Sequence, residues 1–165
     1  MSKIALYMNG DEPDVFGRFI SEIHNYNHFW LEHDHKFIQV LFPIDYGHKF
    51  NKHALLVEKN DIDAFNASAE LRNVHLRSLD LMLDYYGLAR RDEDIVVRDE
   101  LIPKSHDWLK PKNHNQLRIT RIIRSLYLLG NKAVAQNLQR VFIREAKRIG
   151  TVSDKTLAHW ENAAP

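Results

Sequence analysis

The chain has 165 residues, no cysteine and a formal net charge of +1. This length fits one globular domain, expected over residues 1–165, and the lack of cysteine excludes disulfides, thiolate metal sites and a cysteine nucleophile. No apolar run approaches the ~20 residues of a membrane span, and residues 1–14 lack the basic-then-apolar pattern of a signal peptide. We therefore expect a cytoplasmic protein.

Charge is unevenly distributed along the chain. Residues 1–102 carry 11 Lys/Arg and 18 Asp/Glu, a balance of −7, whereas residues 103–165 carry 12 and 4, a balance of +8. A basic segment of this kind can indicate a nucleic-acid partner, or the two parts can neutralise each other within the fold. The near-neutral total favours neutralisation within the fold.

Most of the sequence has helical periodicity. A short extended piece is predicted at residues 3–8, and two segments are predicted as loops, residues 43–60 and the long, charged segment 88–112. Elsewhere, apolar residues recur at three- and four-residue steps, with capping or helix-breaking residues at the ends, which predicts helices. The predicted helices cover residues 16–30, 31–42, 61–67, 71–86, 115–129 and 134–149, and a short one follows Ser153. The sequence predicts an all-α, compact single-domain bundle of about six or seven helices with one long loop.

The helix at residues 115–129 carries the clearest chemical signal. Arg118, Arg121 and Arg124 share the face opposite its isoleucines, but Leu117 and Leu128 lie among them. This pattern indicates a helix covered on both sides, with partly buried guanidinium groups that need anionic partners. The partner can be a carboxylate of residues 1–102, with Glu32 the first choice, or the carboxylate or phosphate of a ligand.

Further polar residues can complete a ligand site beside these arginines. Residues 113–115 lie at the N-terminus of the arginine helix, where an anion is stabilised, and Glu32, His35 and Gln39 form one polar stripe of an earlier helix. Trp108, on the long loop, can cover such a pocket as an aromatic lid or be pinned to the core. The predicted ligand-binding set contains eight residues: Glu32, His35, Gln39, Trp108, His114, Asn115, Arg118 and Arg121.

Ten histidines raise the question of a metal site. His33, Asp34 and His35 are adjacent, but residues one or two apart on a helix point in different directions, and no second ligand motif accompanies them. Nucleophile and phosphate-loop motifs are also absent. We expect no metal, no cofactor and no catalytic residues.

Three segments carry a resemblance to a known family. Residues 31–43 (LEHDHKFIQVLFP), 81–88 (LMLDYYGL) and 114–126 (HNQLRITRIIRSL) are similar, in this order, to the signatures of the conserved N-terminal domain of the opioid growth factor receptor family. Val40 departs from the tryptophan usual in that family. The lack of a long C-terminal repeat region implies a microbial single-domain relative.

The resemblance implies a non-catalytic ligand- or peptide-binding module. Animal members are described as receptors for a pentapeptide enkephalin, associated with the nucleus and perinuclear membranes. For this chain we expect an anionic small molecule or peptide as partner. Two alternatives remain open: a metal-dependent hydrolase that uses the histidines, and a weak nucleic-acid binder that uses Lys104, Lys110, Lys112, Arg118, Arg121 and Arg124.

Overall fold

The computed structural model describes residues 1–47 and 51–165. In this part of the chain the fold is predominantly helical, with nine α-helices, one short 3₁₀ helix and one small antiparallel sheet. The elements follow in chain order: α1 Lys3–Met8, α2 Ile20–His24, α3 His28–His33, α4 Ile38–Leu41, α5 Lys59–Ala67, α6 Ala69–Tyr86, β1 Leu88–Arg91, β2 Asp94–Val97, the 3₁₀ helix Asp107–Leu109, α7 Asn115–Leu128, α8 Lys132–Ile149 and α9 Asp154–Ala163.

The N-terminal third differs from the prediction. Residues 3–8 form a helix rather than an extended piece, and the Ser2 side chain caps it by accepting a hydrogen bond from the Ala5 N–H at 3.2 Å. The single helix expected over residues 16–30 is two short helices, α2 and α3, separated by a break at residues 25–27. Helices this short do not form alone, so packing against the rest of the domain stabilises them.

The predicted long loop at residues 88–112 also differs, because it contains a β-hairpin. Strands β1 and β2 pair with Leu88 opposite Val97 and Arg91 opposite Asp94. The fold is therefore predominantly helical rather than purely all-α, and the described residues contain more helices than the predicted six or seven.

The C-terminal helices follow the prediction closely. Helix α6 ends at Gly87, which adopts the left-handed conformation (φ +84°), and Ser153 caps α9 by accepting a hydrogen bond from the Thr156 N–H. Helix α7 packs against both α8 and α9 and has isoleucines 119, 122 and 123 in the core. Helix α7 is thus the central element from which the candidate site is built.

Within residues 1–47 and 51–165, no helix combines the length and the apolar character needed to cross a membrane.

Candidate anion-binding groove

Arg118 lies in the interior, and neutral oxygen atoms surround its guanidinium. The residue is 6% exposed. Nη1 donates to the carbonyl oxygen of Leu31 at 2.5 Å and to Asn115 Oδ1 at 3.3 Å, and Nη2 donates to the carbonyl oxygen of Asp34 at 3.0 Å. The guanidinium carbon lies 5.2 Å from the centre of the Phe37 ring. Burial of Arg118 was predicted, but the expected pairing with a carboxylate is wrong, because backbone carbonyl groups of the α3–α4 segment occupy its donors.

Arg121 lies one turn further along α7 and has fewer partners. Nη2 donates to the carbonyl oxygen of Gln39 at 3.1 Å, while Nε is buried and has no hydrogen-bond partner among the described residues. No ion pair joins Arg121 to a carboxylate of the described residues. Burial lowers the pKa of Arg121 to about 10, so the side chain remains protonated at neutral pH and carries a charge that no described residue compensates.

Arg124, the third arginine of the helix, is the one that pairs with a carboxylate. Its Nε and Nη2 lie 3.3 and 2.8 Å from the two carboxylate oxygens of Asp45. This two-point pair fixes the segment after Pro43 against α7. The predicted link between the arginine face and the acidic part of the chain therefore exists, but it uses Arg124 and Asp45.

Glu32 pairs with the residues at the start of α7. Its Oε1 lies 2.8 Å from His114 Nε2, and its Oε2 accepts a hydrogen bond from Asn115 Nδ2 at 3.3 Å. The Tyr86 hydroxyl donates to Asn115 Oδ1 at 3.1 Å. Burial lowers the pKa of His114, and the nearby charges of Arg118 and His35 act in the same direction, whereas Glu32 opposes them. Glu32, itself held by Asn115, thus positions His114 at the edge of the groove.

An open groove of about 650 Å³ lies between α4 and α7, beside the segment after Pro43. None of the described residues that line it carries a carboxylate. Its walls combine two arginines and two histidines with polar and apolar side chains: His35, Ile38, Gln39, Ile44, Tyr46, Gly47, Asn51, His114, Leu117, Arg118, Thr120 and Arg121. Leu117, expected to be covered, is 74% exposed and forms part of this wall. We refer to this surface as the cationic groove.

Five of the eight residues predicted from the sequence line the cationic groove, and three do not. His35, Gln39, His114, Arg118 and Arg121 lie on its walls. The rings of His35 and His114 meet edge to face, 5.4 Å apart. Glu32 and Asn115 are absent from the groove lining and contact His114 and Arg118 respectively.

Trp108 lies in the core rather than over the groove. It is 1% exposed, its Nε1 donates to the carbonyl oxygen of Tyr86 at 3.0 Å, and its ring packs edge to face on Phe142 at 4.9 Å. Gln116 holds the same segment by donating hydrogen bonds to the carbonyl oxygens of Trp108 and Lys110. The lid geometry is therefore not present, and Trp108 anchors its loop to the core.

Some groove residues were missed by the sequence analysis. Ile44, Tyr46, Gly47 and Asn51 come from the segment predicted as an undifferentiated loop, of which residues 48–50 lie outside the described part. The combination of Pro43, an aromatic residue and Asp45 was the available signal, because a carboxylate there can pair with an arginine on α7.

The structure also shows where the residues proposed for nucleic-acid binding and for a metal site lie. Lys104, Lys110 and Lys112 are exposed, but Lys110 pairs with Asp107 at 2.7 Å, and the three arginines of α7 do not form an exposed basic face with them. Over the described ranges, no group of three or more His, Asp or Glu side chains is arranged to hold a metal ion.

Comparison with known proteins identifies a family whose model covers nearly the whole chain. The family model for the opioid growth factor receptor conserved region matches residues 2–164. Among curated proteins, the chain is 34% identical over 154 residues to the opioid growth factor receptor of Homo sapiens, covering 83% of the chain and 22% of that protein. It is 36% identical over 123 residues to the Mus musculus receptor, with coverage of 72% and 19%.

A second group of relatives matches a longer part of the chain. The opioid growth factor receptor-like protein 1 of Xenopus tropicalis is 30% identical over 157 residues, covering 92% of the chain and 30% of that protein. The chain thus spans between about a fifth and a third of the length of these relatives. No solved structure matches it significantly.

The protein is thus a predominantly helical domain with a cationic groove between two helices. It belongs to the opioid growth factor receptor family, through the conserved region that its relatives share.

Proposed function

We propose that the cationic groove binds the carboxylate of a small molecule or peptide and that the domain is a non-catalytic binding module. The proposal rests on the environment of the Arg121 guanidinium. Among the described residues, no carboxylate compensates its charge, and its one hydrogen bond goes to the Gln39 carbonyl group. A partly buried guanidinium without an anionic partner is costly unless a bound anion completes its interactions.

The surroundings of Arg121 support an anion with an apolar body. Arg118 adds a second buried positive charge beside the groove, while Ile38, Ile44 and Leu117 provide apolar contact area. Binding sites that combine apolar walls with a few oriented polar groups fix a ligand by its charged end. A carboxylate attached to an aliphatic side chain satisfies both features.

The relatives' names are consistent with a binding role. The curated proteins from Homo sapiens and Mus musculus are named receptors. Those names support only a general ligand-binding role for this chain. The proposed specificity for a carboxylate rests on the residues of the groove alone.

The test compares two probes that differ in one group, N-acetyl-leucine and the uncharged N-acetyl-leucinamide. Each is titrated into the ¹⁵N-labelled protein, and amide chemical shifts are followed by NMR. We expect saturable shifts of groove amides, those of Gln39 and residues 117–121, with the acid and no saturation with the amide. Equal binding of the two probes would show that the arginines do not recognise the carboxylate.

A matched pair of variants separates the groove from a general charge effect. Arg121→Gln should weaken binding of N-acetyl-leucine at least about tenfold, the loss expected for a hydrogen-bonded charge. Arg144→Gln removes the same charge from α8, where Arg144 is exposed and pairs with Glu145, and it should leave binding unchanged. If Arg121→Gln binds as tightly as the unmodified protein, the proposal is wrong.

A further inference from the structure

A second, separate cavity lies between α1 and α5 and has acidic character. It has a volume of about 410 Å³ and is lined by eight residues: Ser2, Lys3, Ile4, Leu55, Leu56, Glu58, Asn60 and Asp61. We call it the α1–α5 pocket. It shares no lining residue with the cationic groove.

Asp61 is the unusual residue of this pocket. A carboxylate in the first turn of a helix is ordinarily solvated, yet Asp61 is 3% exposed. Its Oδ2 accepts a hydrogen bond from the Glu58 N–H at 2.9 Å, which accounts for one oxygen as a helix cap. Its Oδ1 is buried and finds no hydrogen-bond partner in residues 1–47 and 51–165. Because buried polar atoms are nearly always satisfied, the cap explains only half of this carboxylate.

The charges around Asp61 leave it uncompensated. Glu58 adds a second negative charge to the lining, and the structure records no ion pair from Asp61 or Glu58 to any cation among the described residues. The neighbouring Lys59 pairs with Asp63 at 3.0 Å on the exposed side of α5. Lys3 lines the pocket but forms no ion pair with a described residue.

Apolar side chains form the remaining wall. Ile4 is buried, whereas Leu55 and Leu56 leave more than a third of their surface exposed to solvent beside the carboxylates. Partly exposed leucines next to a buried, unsatisfied carboxylate match a ligand that has a cationic head and an aliphatic body.

We propose that the α1–α5 pocket binds the ammonium group of an aliphatic primary amine. The ammonium group donates one hydrogen bond to Asp61 Oδ1 and lies beside the Glu58 carboxylate, while the alkyl chain packs on Leu55 and Leu56. An ammonium group has three donors and no acceptor, so it can interact with the carboxylates of both Asp61 and Glu58. This site is independent of the carboxylate binding proposed for the cationic groove.

The test uses hexylammonium chloride and its uncharged counterpart hexan-1-ol as probes of the ¹⁵N-labelled protein. Hexylammonium should produce saturable shifts in the amides of residues 2–5 and 58–62, and hexan-1-ol should bind at least about tenfold more weakly, since it lacks the charge-assisted hydrogen bond. Because both probes are added to the unmodified protein, this comparison does not depend on the folding of a variant. Equal binding of hexan-1-ol, or no saturable shift with hexylammonium, overturns the proposal.

Two variants on the same helix locate the recognition. Asp61→Asn keeps an oxygen that can accept the Glu58 N–H but removes the charge, and it should weaken hexylammonium binding by about tenfold or more. Asp63→Asn makes the same change two residues away, outside the pocket, and should have no effect. Unchanged binding by Asp61→Asn would overturn the assignment. N-acetyl-leucine should leave the amides of residues 58–62 unshifted, which keeps this test distinct from that of the cationic groove.

Discussion

Arg118 Nη1 donates a 2.5 Å hydrogen bond to the carbonyl oxygen of Leu31, a residue 87 positions earlier in the sequence. Nη2 of the same side chain donates to the carbonyl oxygen of Asp34. One guanidinium therefore joins the end of α3 to the start of α7, two of the three segments whose sequences carry the family resemblance. Since its partners are main-chain atoms, many side chains at positions 31 and 34 are compatible with this link.

Replacing Arg118 with methionine should destabilise the fold. The change leaves two carbonyl oxygens without their charged donor, and each such hydrogen bond contributes about 1.5–3 kcal/mol. We expect the free energy of unfolding, measured by urea denaturation, to fall by about 3 kcal/mol. Arg118→Lys should recover little of this loss, because an ammonium group cannot span both carbonyls as a guanidinium does.

The control for this measurement is Arg144→Met, a change of the same type at an exposed position of α8. It should alter the free energy of unfolding by less than about 0.5 kcal/mol. An Arg118→Met variant as stable as the control would contradict the structural role assigned to Arg118.

Local sequence signals account well for the C-terminal helices. Helices α6, α7, α8 and α9 are 10–18 residues long and carry their own caps or glycine stops, so periodicity and end signals agree. Helices α1 to α4 have only 4–6 residues, and tertiary packing decides their conformation. The hairpin was missed because its turn, Asp92-Glu93, lacks the Asn-Gly or Asp-Gly signal and places Asp92 at φ +55°.

The sequence predicted most of the residues of the candidate site but not the atoms that their side chains contact. Helical spacing identifies which residues share a face, so Arg118 and Arg121 were found together with His114. It does not reveal which oxygen a guanidinium will meet, and main-chain carbonyls have no side-chain signature at all. For this reason the sequence assigned Glu32 to an arginine, whereas in the structure Glu32 contacts His114 and Asn115.

One buried and one half-buried histidine should make the fold less stable in acid. Burial lowers the pKa of His75 to about 3 and that of His24 to about 4. Below the ordinary histidine value of about 6.5, the unfolded chain takes up protons at these positions while the folded chain does not. Stability is therefore unaffected by these residues above about pH 7 and decreases as the pH falls from about 6.5 towards these lowered values.

His75 can be isolated by comparing the unmodified protein with His75→Leu. His75 lies between Phe42 and Phe65, with Nε2 3.1 Å from Ser125 Oγ. Between pH 7 and pH 5 it should account for a loss of about 2 kcal/mol of stability, which His75→Leu abolishes. Urea denaturation at both pH values measures the difference, and the exposed-site variant His159→Leu should retain the full pH dependence. An undiminished pH dependence in His75→Leu would show that His75 is not the residue responsible.

Trp108 should behave as a core anchor in spectroscopy and in stability. In a variant with Trp30→Phe and Trp160→Phe, the emission of Trp108 should be blue-shifted, resistant to a soluble quencher and unchanged by N-acetyl-leucine.

Trp108→Phe should lower the free energy of unfolding by about 2 kcal/mol, because the Tyr86 carbonyl loses its donor. Trp30 is 52% exposed, and Trp30→Phe should have an effect below about 0.5 kcal/mol. A solvent-exposed emission spectrum for Trp108 would contradict its placement in the core.

Gly87 and Gly150 provide a matched pair that tests how residues 101–106, which follow the hairpin, pack beside the end of α6. Both end a long helix with φ +84°, so an alanine at either position pays the left-handed backbone cost of about 1 kcal/mol. At Gly150 a new Cβ would meet no described atom within 4 Å, whereas at Gly87 it would lie 2.6 Å from His106 Nε2 and 3.0 Å from Leu101 Cδ2. His106 is itself buried and contacts Asp99 at 3.2 Å, so it cannot move aside without losing that interaction.

Gly87→Ala should therefore destabilise the protein by at least about 1 kcal/mol more than Gly150→Ala, as expected for overpacking. Thermal denaturation of the two variants measures this difference directly, and equal melting temperatures would show that residues 101–106 do not pack against the end of α6 as described.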